Sequence, residues 1–222
     1  YAASLHGQLG KYFRYSGRYS RALEHWEASW MATRNLVAGP GKELADETLA
    51  EWGLMLANLG RLDQLKALAQ EQTDRVLDGA HLSYLWLRAR EKLGRMTYRP
   101  EYSYKCGVHA VDNVALALGL KDYDRDGLLG TFSPSPEGFS LTALEELSRQ
   151  YGLGLRAVRR AVLDEIPVPS VVHWRQEHYA AIIGHQDGWF SVMDTSTGGL
   201  AKLRGEEIAE EATGYFLVPE SI

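Results

Sequence analysis

The chain's one cysteine opens an apolar helical run, Tyr104-Lys105-Cys106-Gly107-Val108-His109-Ala110-Val111. Far downstream a histidine begins a strand-like stretch, His178-Tyr179-Ala180-Ala181-Ile182-Ile183. An aspartate closes the next one, Trp189-Phe190-Ser191-Val192-Met193-Asp194. A thiol attacks a carbonyl as thiolate, and an unperturbed cysteine has a pKa of roughly 8.5. A place at a helix start lowers it, because unpaired N–H groups and the helix dipole favour negative charge there. A neighbouring imidazole completes the activation and later protonates the leaving amine. Cysteine at a helix start, then histidine and aspartate on successive strands, is the order a thiol nucleophile with base and orienting carboxylate requires.

Seven histidines compete for the base. His6, His25 and His81 fall in a helical half and read as surface or packing residues. His109 follows Cys106 by one turn, too close in sequence to reach the sulfur from a second wall. His173 and His185 sit at strand ends. His178 is preferred, since it opens a strand after the polar turn Arg175-Gln176-Glu177. Asp194 then has to share a face with it. A two-residue turn at Asp187-Gly188 pairs Asp194 with Ala181 and sends the two side chains to opposite faces. A three-residue loop, Gln186-Asp187-Gly188, pairs Asp194 with Ala180, diagonal to His178 on one face. The triad therefore predicts a bulged turn or an equivalent bulge nearby.

The elements that must position these groups divide the chain in two. Residues 1–96 read as helices. A Gly-Arg pair recurs at 17–18, 60–61 and 94–95, each time after an amphipathic run, with the breaker-rich stretch Val37-Ala38-Gly39-Pro40-Gly41 as a loop between units. Gly60 and Gly94 are separated by 34 positions. That period, with a small residue at the helix–helix turn, resembles tetratricopeptide (TPR) repeats. Ala22, Trp26 and Ala28, then Leu65, Ala67 and Leu68, supply the apolar stripe of the second helix in each unit. A solenoid of this kind offers a groove for a docked partner.

Residues 97–222 follow a different grammar. Tyr98 to Tyr104 is a Pro-broken aromatic linker. A helix runs from Cys106 to Leu120 with apolar positions 108, 111, 114, 115 and 118. A polar loop with Ser133-Pro134-Ser135-Pro136 leads to a helix from Ser140 to Tyr151, capped by Thr142 with Glu145 three residues on. Strands are expected at Leu155–Val158, Pro169–Trp174, His178–Ile183, Trp189–Met193 and Gly214–Val218. Helices first and sheet afterwards describe an α+β fold.

Residues 97–222 resemble the C39 peptidases, papain-like cysteine proteases known from bacteriocin-processing transporters. The resemblance is carried by Cys106-Gly107 opening a helix, by Ser140-Leu141-Thr142-Ala143-Leu144, and by Tyr151-Gly152-Leu153. It continues through Pro169-Ser170-Val171-Val172-His173-Trp174, His178-Tyr179-Ala180-Ala181-Ile182, Val192-Met193-Asp194 and Thr213-Gly214-Tyr215-Phe216-Leu217. It implies a papain-like domain of helices packed on an antiparallel sheet. Cys106 would be the nucleophile, His178 the acid and base, and Asp194 the orienting residue. Such enzymes typically cut after a Gly-Gly pair in a leader peptide. Two departures stand out. No glutamine precedes the cysteine between Tyr98 and Lys105, where the family carries an oxyanion donor, and Lys105 replaces a common acidic residue. The Cys106 N–H remains as a donor, with a hydroxyl from Tyr102 or Tyr104 in place of the amide. The loss of one such donor costs about 3 kcal/mol of transition-state stabilisation.

The expected function is thus a cysteine endopeptidase acting on a peptide or protein, including its own parent chain or a partner docked on the repeats. The alternative is a C39-like module that binds a peptide or leader without cutting it. A third possibility is a papain-like acyl transferase of the transglutaminase type. Gly198-Gly199 follows the aspartate and reads as a structural turn rather than a cleavage site. The net charge of −5 speaks against a nucleic-acid surface. No run approaches the roughly 18 apolar residues of a membrane span. Scattered histidines around a lone cysteine lack metal-ligand spacing, and no cofactor is implied. A single cysteine leaves the compartment open. The start at Tyr1 rather than Met marks a piece of a longer protein, of the multidomain bacterial kind in which such repeats precede such a domain.

Overall fold

A computed structural model describes residues 1–133, 135, 137–161 and 165–220. It resolves into two compact units, Tyr1–Arg99 and Pro100–Ile222. Pro134 and Pro136 of the expected polar loop lie outside the described residues.

The first unit is all helix: α1 (Ala2–Tyr15), α2 (Tyr19–Thr33), α3 (Gly39–Asn58), α4 (Leu62–Glu71) and α5 (Ala80–Tyr98). Two of the Gly-Arg pairs are helix stops. Gly17 and Gly60 adopt φ of 68° and 71°, and the N–H groups of Arg18 and Arg61 return to the carbonyls of Phe13 and Leu56. These are left-handed glycine caps that turn one helix back on the next. The third pair behaves otherwise, because Gly94 and Arg95 lie inside α5, so the 34-residue interval is not turn to turn. Two helical hairpins and a fifth helix result. The expected loop at residues 37–41 is also shorter: Gly39, Pro40 and Gly41 form the first turn of α3, where proline is at home. Trp26 and Trp30 fill the core between α1, α2 and α3, with Ala22, Leu65 and Leu68 buried as read. Ala67 is exposed.

Asp46 is the exception in this apolar interior, fully buried on α3. It accepts from Arg75 Nε at 2.7 Å, Lys42 Nζ at 2.6 Å and the Asp78 N–H at 3.0 Å. Burial opposes its ionisation, but the Lys42 ammonium, the Asp78 N–H and the Arg75 guanidinium hold its carboxyl below the usual range. Arg75 reaches on to the carbonyls of Arg34 and Leu36 at 2.9 and 3.0 Å. Asp46 therefore ties the segment after α4 to the end of α2. Lys42 keeps the Asp78 carboxylate at 2.6 Å, but Asp46→Ala takes the carboxylate from the Arg75 guanidinium and is expected to destabilise this unit by about 3 kcal/mol, read as a lower midpoint in urea unfolding.

The second unit packs α6 (Cys106–Ala117), α7 (Arg125–Gly130) and α8 (Leu141–Gln150) on an antiparallel sheet. Its strands are β1 (Leu155–Arg159), β2 (Ser170–Trp174), β3 (His178–Gln186), β4 (Trp189–Asp194), β5 (Gly199–Arg204) and β6 (Ala212–Pro219). The sheet order is β1-β6-β2-β3-β4-β5, and α9 (Gly205–Glu211) links β5 to β6. The α+β fold follows from two apolar faces meeting: Val108, Val111, Val114 and Leu144 from the helices, Val171, Tyr179, Ala181 and Leu217 from the sheet. The strand β5 and the helices α7 and α9 fell in stretches too polar to be read as elements. α8 is capped by Ser140, whose hydroxyl accepts from the Ala143 N–H at 3.1 Å, not by Thr142. Glu145 instead accepts from the Ala157 N–H of β1 at 3.1 Å. No described helix is long and apolar enough to cross a membrane.

Candidate active site

Cys106 is the first residue of α6, and no side chain caps that end. The first intrahelical bond runs from His109 N–H to the Lys105 carbonyl at 3.0 Å. The N–H groups of Cys106, Gly107 and Val108 therefore have no partner within the helix. Gly107 packs under Leu144 of α8: a Cβ there would lie 2.7 Å from Leu144 Cδ1, so a larger residue requires Leu144 to shift.

His178 and Asp194 reach a common face by a bulge, not by the turn. The β3–β4 connection is a two-residue turn, with Asp187 and Gly188 both left-handed at φ of 52° and 75°. Beside it Gln186 pairs with Trp189 and Gly184 with Ser191; beyond it Ile182 pairs with Val192 and Ala181 with Met193. Ile183 is the extra residue on β3. This bulge resets the register by one, and the next step of the ladder sets Asp194 opposite Ala180. The three-residue loop expected at Gln186-Asp187-Gly188 does not form; the equivalent bulge lies within β3 instead.

The side chains meet accordingly. His178 Nε2 and Asp194 Oδ2 are 2.9 Å apart, and both residues are almost wholly buried. The Cys106 thiol, partly exposed, hydrogen-bonds to the same imidazole. With Nε2 taken by Asp194, Nδ1 is the nitrogen left for sulfur. The Tyr179 N–H also donates to the sulfur. Asp194 Oδ1 accepts from the N–H groups of Ser196 and Thr197 at 3.0 and 3.3 Å. Asp194 is thus both a turn-forming residue and the partner of His178, one oxygen for each. Asn113 Nδ2, on α6, donates to Thr195 Oγ1 at 3.4 Å and links that turn to the helix bearing Cys106.

These contacts set the charges. Burial pushes the Cys106 thiol up, but the His178 imidazolium and the two hydrogen bonds outweigh it and the pKa is lowered. Burial likewise opposes charge on His178, while Asp194 and the thiolate raise its pKa to about 10. For Asp194 burial is again outweighed by His178 and by the turn donors, which hold the carboxyl below its usual range. These directions all favour a thiolate–imidazolium pair backed by a carboxylate.

The other candidates have contacts of their own. Burial lowers the pKa of His109, and an acid on its own helix, Asp112, pulls it the other way. His185 stacks on Phe190 with centroids 4.1 Å apart. His6 and His25 face each other across α1 and α2, their Nδ1 atoms 2.8 Å apart. Tyr102 is half exposed, its ring edge-on to Phe132 at 5.0 Å with the Lys105 ammonium beside both rings. Tyr104 lies against Gly138. The donors missed by sequence reasoning are backbone groups, those of Tyr179, Ser196 and Thr197, which carry no residue signature. A Ser/Thr-rich stretch directly after an aspartate was the available hint of an Asx-type turn. Among the described residues no group of three or more His, Cys, Asp or Glu is arranged to hold a metal ion.

Residues 97–221 match the model of the peptidase C39 family. Comparison with curated proteins gives no match. Two solved structures are similar to part of the chain. One is a double glycine motif protease from an AMS/PCAT transporter in complex with the leader peptide. It is 23% identical, with a TM-score of 0.39, over 51% of this chain and 81% of that one. The other is the N-terminal peptidase C39 like domain of the toxin secretion ATP-binding protein from Vibrio parahaemolyticus. It is 17% identical, with a TM-score of 0.40, over 50% of this chain and 93% of that one.

Proposed function

The chain belongs to the peptidase C39 family, and on that premise we propose that it is a cysteine endopeptidase working through Cys106, His178 and Asp194. The continuous contact from sulfur to imidazole to buried carboxylate carries this reading. The Cys106 thiolate attacks the scissile carbonyl, and the tetrahedral oxyanion forms beside the N–H groups at the start of α6. The His178 imidazolium gives its proton to the departing amine, leaving a thioester on Cys106. His178, now neutral, takes a proton from water, whose oxygen attacks the thioester and releases the acid. Asp194 keeps Nε2 as a donor and stabilises the charged ring. A hydroxyl from Tyr102 or Tyr104 is assigned to the oxyanion beside the Cys106 N–H. The family habit makes a Gly-Gly bond, in a leader, in the parent chain or in a docked partner, the substrate of choice. The unit Tyr1–Arg99 is read as TPR-like hairpins that hold the partner.

The absence of glutamine between Tyr98 and Lys105 favours a second reading, a module that binds such peptides without cutting them. The two separate in one experiment. Wild type and Cys106→Ala are incubated with peptides containing a Gly-Gly pair and with a glycine-ended peptide aldehyde, and products and adducts are identified by mass spectrometry. New termini and a hemithioacetal on Cys106 are expected for wild type alone. Peptide binding with neither product nor adduct would leave the binder.

A further inference from the structure

Lys105 shares one peptide group with Cys106. The carbonyl of that group accepts the first hydrogen bond of α6, from the His109 N–H at 3.0 Å. Its N–H is the Cys106 donor beside the oxyanion. Lys105 is the N-cap, with a non-helical backbone at φ −105° and ψ 11°. One bond at the carbonyl leaves the peptide plane free to rock about it, so α6 alone does not aim that N–H. The Lys105 side chain supplies further ties. Nζ donates to the Leu129 carbonyl at 2.8 Å. It also lies 5.8 Å from the Tyr102 ring centroid and 5.9 Å from that of Phe132, the range of a cation–π contact. Those rings meet edge-on at 5.0 Å. Leu129 belongs to the last turn of α7, where carbonyls have no helical donor. The other end of α7 is fastened to α6. Arg125 Nε and Nη2 donate to Asp112 Oδ1 and Oδ2 at 2.8 and 2.9 Å, and the Tyr123 hydroxyl donates to Oδ1 at 2.7 Å. Asp112 is buried on α6. α7 is thus a brace, anchored to the body of α6 at Asp112 and to the residue before the sulfur at Lys105.

We propose that Lys105 is a positioning residue that aims the Cys106 N–H at the oxyanion, through its hold on α7. The charge on sulfur is set by burial, His178, the Tyr179 N–H and Asp194. The Lys105 contacts bear instead on the backbone just ahead of it. A donor fixed before the substrate arrives needs no reorganisation when the oxyanion forms. With the brace cut, the donor survives but its direction wanders, and the loss is smaller than for outright removal. An interaction made only in the transition state changes kcat and kcat/KM alike and leaves KM alone. Arginine can keep both ties of Lys105, since its guanidinium donates to carbonyls and stacks on rings. Methionine is of similar length and offers neither a donor nor a charge.

The inference rests on the cysteine endopeptidase reading above, and the test separates the two. Wild type, Lys105→Met, Lys105→Arg and Arg125→Gln are compared as full chains. Cleavage of a Gly-Gly peptide, inhibition by a glycine-ended peptide aldehyde and alkylation of Cys106 by iodoacetamide are measured for each. The thiolate adds to the aldehyde carbon, and the carbonyl electron pair moves to oxygen, which takes the place of the oxyanion. In Lys105→Met kcat is expected to fall about tenfold with KM unchanged, against the roughly 10²–10³ lost when a donor is removed outright. Aldehyde binding weakens by the same factor, while alkylation keeps its wild-type rate. Lys105→Arg restores kcat. Arg125→Gln cuts the far end of the brace at an exposed side chain, and shows the same signature to a smaller degree even where Lys105→Met does not fold. A wild type that gives neither cleavage nor an aldehyde adduct overturns both readings. An active wild type with kcat unchanged in Lys105→Met, or with alkylation falling alongside kcat, overturns the role of Lys105 alone.

Discussion

His178→Ala is expected to slow alkylation of Cys106 at pH 6 by at least about 100-fold. Thiolate is the reactive species, and a cysteine at its ordinary pKa of roughly 8.5 is less than 1% ionised there. In this protein burial pushes the sulfur further towards the neutral thiol, and His178 is the main influence against it. Without the imidazole only the Tyr179 N–H and the helix end remain to favour the anion. Peptide cleavage should fall further, on the order of 10³-fold, because the acid for the leaving amine goes as well. The wild type supplies the matching pH signature. His178 gives up its proton near pH 10 rather than near 6.5. Its charged form is therefore present below that value, and the alkaline limb of cleavage should come as pH rises through it. An alkaline limb near 6.5 would mean that the ion pair does not form.

Asp194→Asn should cost more than Asp194→Ala, although the amide is nearly isosteric with the carboxylate. The reason lies in the turn. The N–H groups of Ser196 and Thr197 both bond to Oδ1, so that position has to be an acceptor. An asparagine satisfies it with its carbonyl oxygen and must then direct its NH₂ at His178 Nε2, which lies 2.9 Å from the other carboxylate oxygen. Two donors cannot face each other, and Nε2 must become a bare acceptor. The ring is locked neutral with its proton on the side of the sulfur, the tautomer that can neither take a proton from the thiol nor carry positive charge. A loss on the order of 10³-fold in kcat is expected. In Asp194→Ala no group dictates the tautomer and water can enter, so a smaller loss, on the order of 100-fold, is expected. Steady-state rates for the two variants, each with its fold checked by circular dichroism, decide the order. Equal losses would show that the turn does not hold the side chain as described.

Residue order along the chain already held the groups from which the proposed chemistry is drawn. A cysteine ahead of a glycine at a helix start, a histidine after a polar turn and an aspartate at a strand end are local patterns, each with a local physical cause. The helix periodicities and the principal strands of the sheet were legible for the same reason, since burial of one face writes itself into spacing. Elements without an apolar rhythm were not: α7, α9 and the edge strand β5, whose residues are largely exposed. Caps and turns were only half legible. Ser140 took the capping role expected of Thr142, because either hydroxyl suits the pattern and only the path of the chain chooses. Likewise Gly94 carries the same dipeptide as Gly17 and Gly60, yet α5 continues through it.

The sequence by itself determined which groups could form a thiolate, an acid and an orienting carboxylate, because side-chain chemistry belongs to each residue alone. It also determined that His178 and Asp194 would need an irregular register to share a face, since strand side chains alternate with period two. Only the tertiary structure decided where that irregularity falls. The turn at Asp187-Gly188 stays regular, and Ile183 is the residue set out of the ladder. Tertiary structure alone also brought in the backbone donors of Tyr179, Ser196 and Thr197. Every residue has an N–H to offer, and only folding decides which of them points at a charge.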